Sequence, residues 1–112
     1  SVGLIQPDIA RSGGISETRK IATLAAALNI PYAPHVGASG AICVAASLHL
    51  AAAMPNFLTF ECMIFPNPLR DTLLKEPIGG KDTLRDGALP LPRGPGLGVE
   101  LDMAEVERWS AR

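Results

Sequence analysis

The sequence predicts an α/β chain in which parallel strands alternate with helices, and three observations carry that expectation. Short apolar runs end at chemistry-bearing side chains: Leu4-Ile5-Gln6-Pro7 delivers Asp8, Tyr32-Ala33-Pro34 delivers His35, and Phe57-Leu58-Thr59-Phe60 delivers Glu61. The three residues are spaced by 27 and then 26 positions, about the length of a strand, a crossover helix and two loops. Between them lie two stretches with helix signals, each closed by proline. In a barrel of such units, catalytic side chains project from the C-terminal ends of the strands. Asp8, His35 and Glu61 are therefore the first candidates for a site.

The first run, Ser1-Val2-Gly3-Leu4-Ile5, starts inside a strand-like segment with no starting Met, which suggests a truncated chain. Pro7 ends its ladder because it has no N–H to donate. Ser16 is the expected N-cap of the first helix, with Glu17 near the positive end of the dipole. Ile21, Leu24, Ala25 and Leu28 fall at i, i+3, i+4 and i+7 and predict one inward apolar stripe, with Thr18, Arg19 and Thr23 off it. Asn29 can close the helix in a left-handed conformation, and Pro31 forbids its continuation.

The second helix is expected over residues 41–54, rich in alanine and so able to lie close against its neighbours. Pro55-Asn56 breaks it before the third strand, 57–61. Residues 1–65 thus read as successive β/α units. Residues 66–112 read as an irregular wrap, rich in Pro and Gly. Within the wrap, a short helix is expected over 69–74 and an extended piece over 88–92. A last helix runs through Trp109, with Asp102 and Glu105 as a capping box. Three parallel strands alone leave both sheet edges open and apolar.

Composition narrows the function. The chain has 112 residues, enough for one domain at most, yet 47% are hydrophobic and the mean hydropathy is +0.22. A short chain buries a small share of its surface, so the apolar excess predicts faces covered by other protein. Net charge is −1 with scattered basic residues, which speaks against nucleic acid and membrane surfaces as partners. Cys43 and Cys62 match no metal or redox spacing and are expected as reduced, buried thiols of a cytoplasmic protein. The longest apolar run is too short to span a bilayer.

Several motifs have plain explanations. Gly94-Pro95-Gly96-Leu97-Gly98-Val99 fails the dinucleotide pattern and reads as a turn. Gly37-Ala38-Ser39-Gly40 lacks the spacing of a nucleophile elbow, leaving Ser39 as a candidate substrate contact or helix cap. His49 lies mid-helix and is expected to be packed or hydrogen-bonded. His35 has a structural alternative as well, but carboxylates at equivalent positions on both sides favour chemistry. Neighbouring parallel strands lie about 4.8 Å apart, so such side chains can meet. A carboxylate on one imidazole nitrogen fixes the tautomer, and the other nitrogen is free to act as base or acid. A second carboxyl, kept protonated, can donate to a developing oxyanion.

These residues resemble the mandelate racemase branch of the enolase superfamily. Gln6-Pro7-Asp8-Ile9 with Gly13-Gly14-Ile15-Ser16-Glu17 is similar to that branch's sixth strand and helix, and Pro34-His35 to its seventh strand. Leu48-His49-Leu50-Ala51-Ala52, Pro55-Asn56 and Glu61 resemble the seventh helix and eighth strand. The segment from Pro92-Arg93-Gly94 to Val99-Glu100 resembles the closing segment. The resemblance implies the C-terminal part of a modified (β/α) barrel that carries an N-terminal capping domain. It implies abstraction of a proton α to a carboxylate, giving an enediolate held by Mg²⁺. His35 is then the acid/base, Asp8 its partner and Glu61 a donor to the substrate carboxylate. The Pro-Asn…Glu and Asn67-Pro68-Leu69 regions look closest to sugar-acid dehydratases. A racemase or epimerase of a 2-hydroxy acid would use the same dyad. The family's metal ligands and lysine base lie on earlier strands, so no metal ligand is expected in these residues, and the isolated chain is expected to be inactive. The expected partners are a small carboxylate substrate, the remaining barrel and capping segments, and further copies of the subunit.

Overall fold

Proline decides how far the three extended runs can pair. The computed structural model describes residues 2–110; Ser1, where the first expected strand begins, lies outside the described residues. Ile5 N–H donates to Pro31 O at 3.0 Å, Ala33 N–H to Ile5 O at 3.0 Å, and His35 N–H to Pro7 O at 3.2 Å. On the other side of the middle run, Tyr32 N–H donates to Asn56 O and Leu58 N–H to Tyr32 O, both at 2.8 Å. The runs are parallel, as expected, but they meet in single bridges, Ile5 with Tyr32 and Tyr32 with Phe57, rather than in continuous strands. Pro7, Pro31 and Pro34 have no N–H, so the ladder cannot run on. Tyr32 sits at the centre, fully buried, and burial pushes its phenol up to about 12.

Two helices cover this layer, α1 (Ile15–Ala27) and α2 (Ala41–Ala53), packed on each other. The N-cap of α1 is Gly14 rather than Ser16, and no side chain caps it. Ser16 lies inside the first turn. The C-terminus follows expectation. Asn29 has φ 55, its N–H donates to Ala26 O, and Ile30 N–H reaches back to Ala25 O, the paired bonds of a Schellman closure.

The expected apolar stripe of α1 is corrected. Thr18, Ala22 and Ala25 face inward, whereas Ile21, Leu24 and Leu28 are exposed, Leu24 at 66% and Leu28 at 63%. Spacing alone cannot choose between two faces when the smaller residues give the closer approach. Ala22 packs with Ile9, Tyr32, Ala46 and Leu50 in the main core. The larger side chains are left as an uncovered apolar flank.

Helix α2 is apolar nearly all round, and it is correspondingly buried on several sides. The chain beyond residue 66 supplies its outer cover. Leu97 joins the main core, while Ile78 and Leu89 pack on a second cluster of Val36, Val44 and Leu48. His49 Nε2 lies 2.9 Å from Leu97 O, a tie between α2 and this wrap. Helix α3 (Pro68–Asp71) is shorter than the expected 69–74, because Leu74 is drawn into an antiparallel bridge with Leu101. Asp86 and Gly87 both have positive φ and join Arg85 to Ala88 in a two-residue hairpin turn. Helix α4 (Met103–Ser110) is capped by Asp102 Oδ1, but Glu105 bonds Arg108 and Trp109 instead of completing a capping box. Among the described residues no helix is long and apolar enough to cross a membrane. Cys43 and Cys62 are free and half-buried, more accessible than expected.

Candidate active site

Asp8, His35 and Glu61 gather where the three extended runs end. Asp8 follows Pro7 in a tight turn, and its Oδ1 accepts from Ala10 N–H at 2.8 Å and Arg11 N–H at 3.2 Å. Its other oxygen, Oδ2, lies 2.9 Å from His35 Nδ1. One carboxylate thus shapes the turn and holds the imidazole. Asp8 is buried, whereas the His35 side chain is 38% exposed, so the ring is anchored at one nitrogen and open to ligand elsewhere. Burial works against the charged carboxylate, but the His35 bond and the two N–H donors outweigh it and hold Asp8 below its ordinary value.

Glu61 reaches the same rim by a different route. Its Oε2 accepts from Val36 N–H at 2.8 Å and Gly37 N–H at 2.9 Å, the two residues after His35. The Gly37 bond is the largest cause of a lowered pKa; desolvation opposes it, and the Val36 bond and the His35 ring add to it. In this chain Glu61 Oε2 is held as a double acceptor, an arrangement that favours the charged form of the carboxyl. Its other oxygen, Oε1, is left for another partner.

The sequence marks Gly37 only as part of a loop, although it stands two residues after the histidine. Its φ is +41, and a Cβ there would lie 2.7 Å from His35 Cε1. Ser39 does not cap α2, whose N-cap is Gly40 with no side-chain bond. The loop holding Ser39 is instead gripped by Asn67, whose Nδ2 donates to Ala38 O and Ser39 O. Asn67 and Arg70 are further polar residues near the site. Arg70 is a buried cation within a short Pro-flanked helix, and that is the only trace it leaves in the sequence. Among the described residues, no group of three or more His, Cys, Asp or Glu side chains is disposed to hold a metal ion. These residues do not by themselves fit a Mg²⁺ site.

The lowered carboxyls predict acid sensitivity. Asp8, Glu61 and Asp71 all bind protons more weakly in the folded chain than in an unfolded one. The stability they contribute is complete above the ordinary carboxylate range and is lost as pH falls through their lowered folded values. Urea midpoints are expected to hold steady from neutrality to about pH 5 and to drop below about pH 4. A midpoint unchanged down to about pH 2 would contradict this.

The chain is similar to known proteins over nearly its whole length. The chain is 40% identical over 107 residues to D-xylonate dehydratase of Haloferax volcanii, covering 96% of this chain and 25% of that protein. It is 36% identical over 110 residues to D-galactarolactone cycloisomerase of Agrobacterium fabrum, covering 91% and 28%. A crystal structure of an enolase superfamily member from Polaromonas sp. JS666 superposes with a TM-score of 0.80 at 34% identity, covering 96% of this chain and 27% of that one. The chain spans about a quarter of the length of these relatives. Residues 1–106 match the family described as enolase C-terminal domain-like. With nearly the whole chain matched, and with its carboxylate–histidine pair at the ends of successive parallel runs, the protein belongs to that enolase family.

Proposed function

We propose that the complete polypeptide carrying these residues dehydrates a sugar acid, with His35 moving the proton, Asp8 orienting His35, and Glu61 meeting the substrate carboxylate. The observation that carries this is the Asp8–His35 Nδ1 contact on a ring that is otherwise open. A carboxylate at Nδ1 fixes the proton there and leaves Nε2 as a base. Neutral Nε2 takes the proton from C2 of the 2,3-dihydroxy acid. The C2–H electrons form the C2–C3 double bond as the C3–O bond breaks. The imidazolium returns its proton to the departing hydroxyl, which leaves as water. The enol then loses the proton of its C2 hydroxyl to water and takes one at C3, giving the 2-keto-3-deoxy acid. Asp8 stabilises the imidazolium between the two transfers.

Glu61 enters in a charge-dependent way. A substrate carboxylate beside it opposes its ionised form and raises its affinity for a proton. Substrate binding is then accompanied by proton uptake, and the protonated Glu61 donates to the carboxylate. In this proposal the barrel is completed by segments outside residues 1–65, residues 66–112 close over it, and any Mg²⁺ ligands lie on those other segments. The complete enzyme is a cytoplasmic oligomer.

Product analysis tests the reaction class. The complete enzyme, offered a panel of sugar acids, is expected to release a 2-keto-3-deoxy acid, detected as its semicarbazone. An epimerised substrate with no loss of water would overturn dehydration. The similarity to a cycloisomerase at 36% identity gives isomerisation without water loss as the second reading.

A further inference from the structure

The loop after His35 and the loop after Glu61 are joined by a set of polar contacts to which the reaction above assigns no part. Asn67 stands at its centre. Its Nδ2 donates to Ala38 O at 2.9 Å and to Ser39 O at 3.2 Å, on the His35 side. Its backbone N–H donates to Asp71 Oδ2 at 2.9 Å, and its Oδ1 accepts from Leu69 N–H at 3.1 Å as the cap of α3. Asp71 Oδ1 accepts from Arg70 Nε at 2.7 Å. Arg70, only 4% exposed, spends its remaining nitrogens on the Glu61 side, with Nη1 donating to Met63 O at 2.8 Å and Nη2 to Phe65 O at 2.9 Å.

A guanidinium buried this deeply and bonded to two loop carbonyls and a carboxylate fixes the path of residues 63–67. Asn67 then transmits that path to residues 38–39. The chain between is short: Gly37 N–H bonds Glu61 Oε2, and Gly37 also lies against the His35 ring. The contacts close a circuit from Glu61 through residues 63–67, across Asn67 to Ala38, and back through Gly37 to Glu61. Two side chains from separate runs are thereby held in one register.

We propose that Asn67, seated on the Arg70–Asp71 pair, is a positioning residue that sets His35 and Glu61 relative to each other. Its side chain bonds the Ala38 and Ser39 carbonyls and the Leu69 N–H rather than His35 or Glu61. The proposal rests on His35 and Glu61 working together as described above, so its test includes a readout that does not depend on turnover.

Asn67→Asp is the informative variant. It keeps an oxygen to cap Leu69 N–H and removes the two donors, setting a carboxylate against the Ala38 and Ser39 carbonyls. In the complete enzyme, kcat is expected to fall by about 100-fold, the scale on which small misplacements of reacting groups act. KM is expected to stay within about threefold, since the substrate's own contacts are untouched. The thermal midpoint is expected to stay close to that of the parent. Amide exchange at Val36 and Gly37 is expected to quicken by about tenfold or more as local opening becomes easier. An unchanged kcat and unchanged exchange would overturn the proposal. So would a kcat loss that merely follows a loss of folded protein. Should Asn67→Asp fail to fold, Asn67→Ser keeps a capping oxygen without adding charge. Low kcat with a normal midpoint in that variant supports positioning, and parental kcat or a second failure to fold overturns it. Quickened exchange, seen together with full activity in His35→Asn, would leave the clasp standing and remove the catalytic reading instead.

Discussion

Replacing His35 with Asn is expected to lower kcat of the complete enzyme by about 10²–10⁴-fold, the usual contribution of a positioned acid–base group. Asn is chosen because its amide can still donate to Asp8 Oδ2, so the buried carboxylate keeps a partner. Asp8 also retains the Ala10 and Arg11 N–H bonds through its other oxygen, and the turn that carries it is preserved. The fold and substrate binding are therefore expected to survive while proton transfer is lost. Steady-state kinetics with direct measurement of ligand affinity separates the two. Parental kcat would show that Nε2 handles no proton. A loss of affinity matching the loss of rate would show that His35 binds substrate rather than reacts with it.

Gly37→Ala is expected to be nearly as damaging, although it removes no functional group. Two effects act together. At φ +41 a residue with a Cβ adopts its backbone conformation at a cost of about 1–2 kcal/mol. The new methyl would also lie 2.7 Å from His35 Cε1 and 3.2 Å from Nε2, closer than carbon tolerates. The ring is held at Nδ1 by Asp8, so it cannot yield without weakening that bond. Backbone movement at Gly37 would in turn disturb the N–H that Glu61 accepts. One added carbon thus presses on all three members of the site. A fall in kcat of about 100-fold is expected, with stability lower by about 1–2 kcal/mol. The His35 Nδ1 proton resonance should broaden or shift. Parental kcat in the Gly37→Ala enzyme would mean that His35 has room the close approach denies it.

The meeting of Asp8, His35 and Glu61 was easier to see in the sequence than the packing was, and for a physical reason. Asp8, His35 and Glu61 were legible because strand ends recur at a regular interval and bring their side chains to one rim. Asn29 was legible because a left-handed closure followed by proline is local chemistry. The inward face of α1 was not. Both the Ile21-Leu24-Leu28 side and the Thr18-Ala22-Ala25 side have helical spacing, and the choice depends on how closely α2 and Tyr32 approach. The backbone partners of Glu61 were illegible too. They are two N–H groups after residue 35, and no side-chain pattern encodes their direction. Arg70 and Asn67 were missed for the same reason, since their partners are mostly main-chain carbonyls. The Asp86-Gly87 hairpin is different: the Asp-Gly pair is a local turn signal, but a single bridge between Arg85 and Ala88 leaves no strand pattern on either side of it.

A structure of the complete enzyme with an unreactive sugar-acid analogue tests the convergence of the site directly. Asp8 Oδ2 should remain on His35 Nδ1, with His35 Nε2 about 3–3.5 Å from C2 of the analogue, and Glu61 Oε1 should meet the analogue's carboxylate. An analogue bound away from residue 35, with the imidazole turned from it and Glu61 still engaged only with Val36 and Gly37, would contradict the assignment of all three residues.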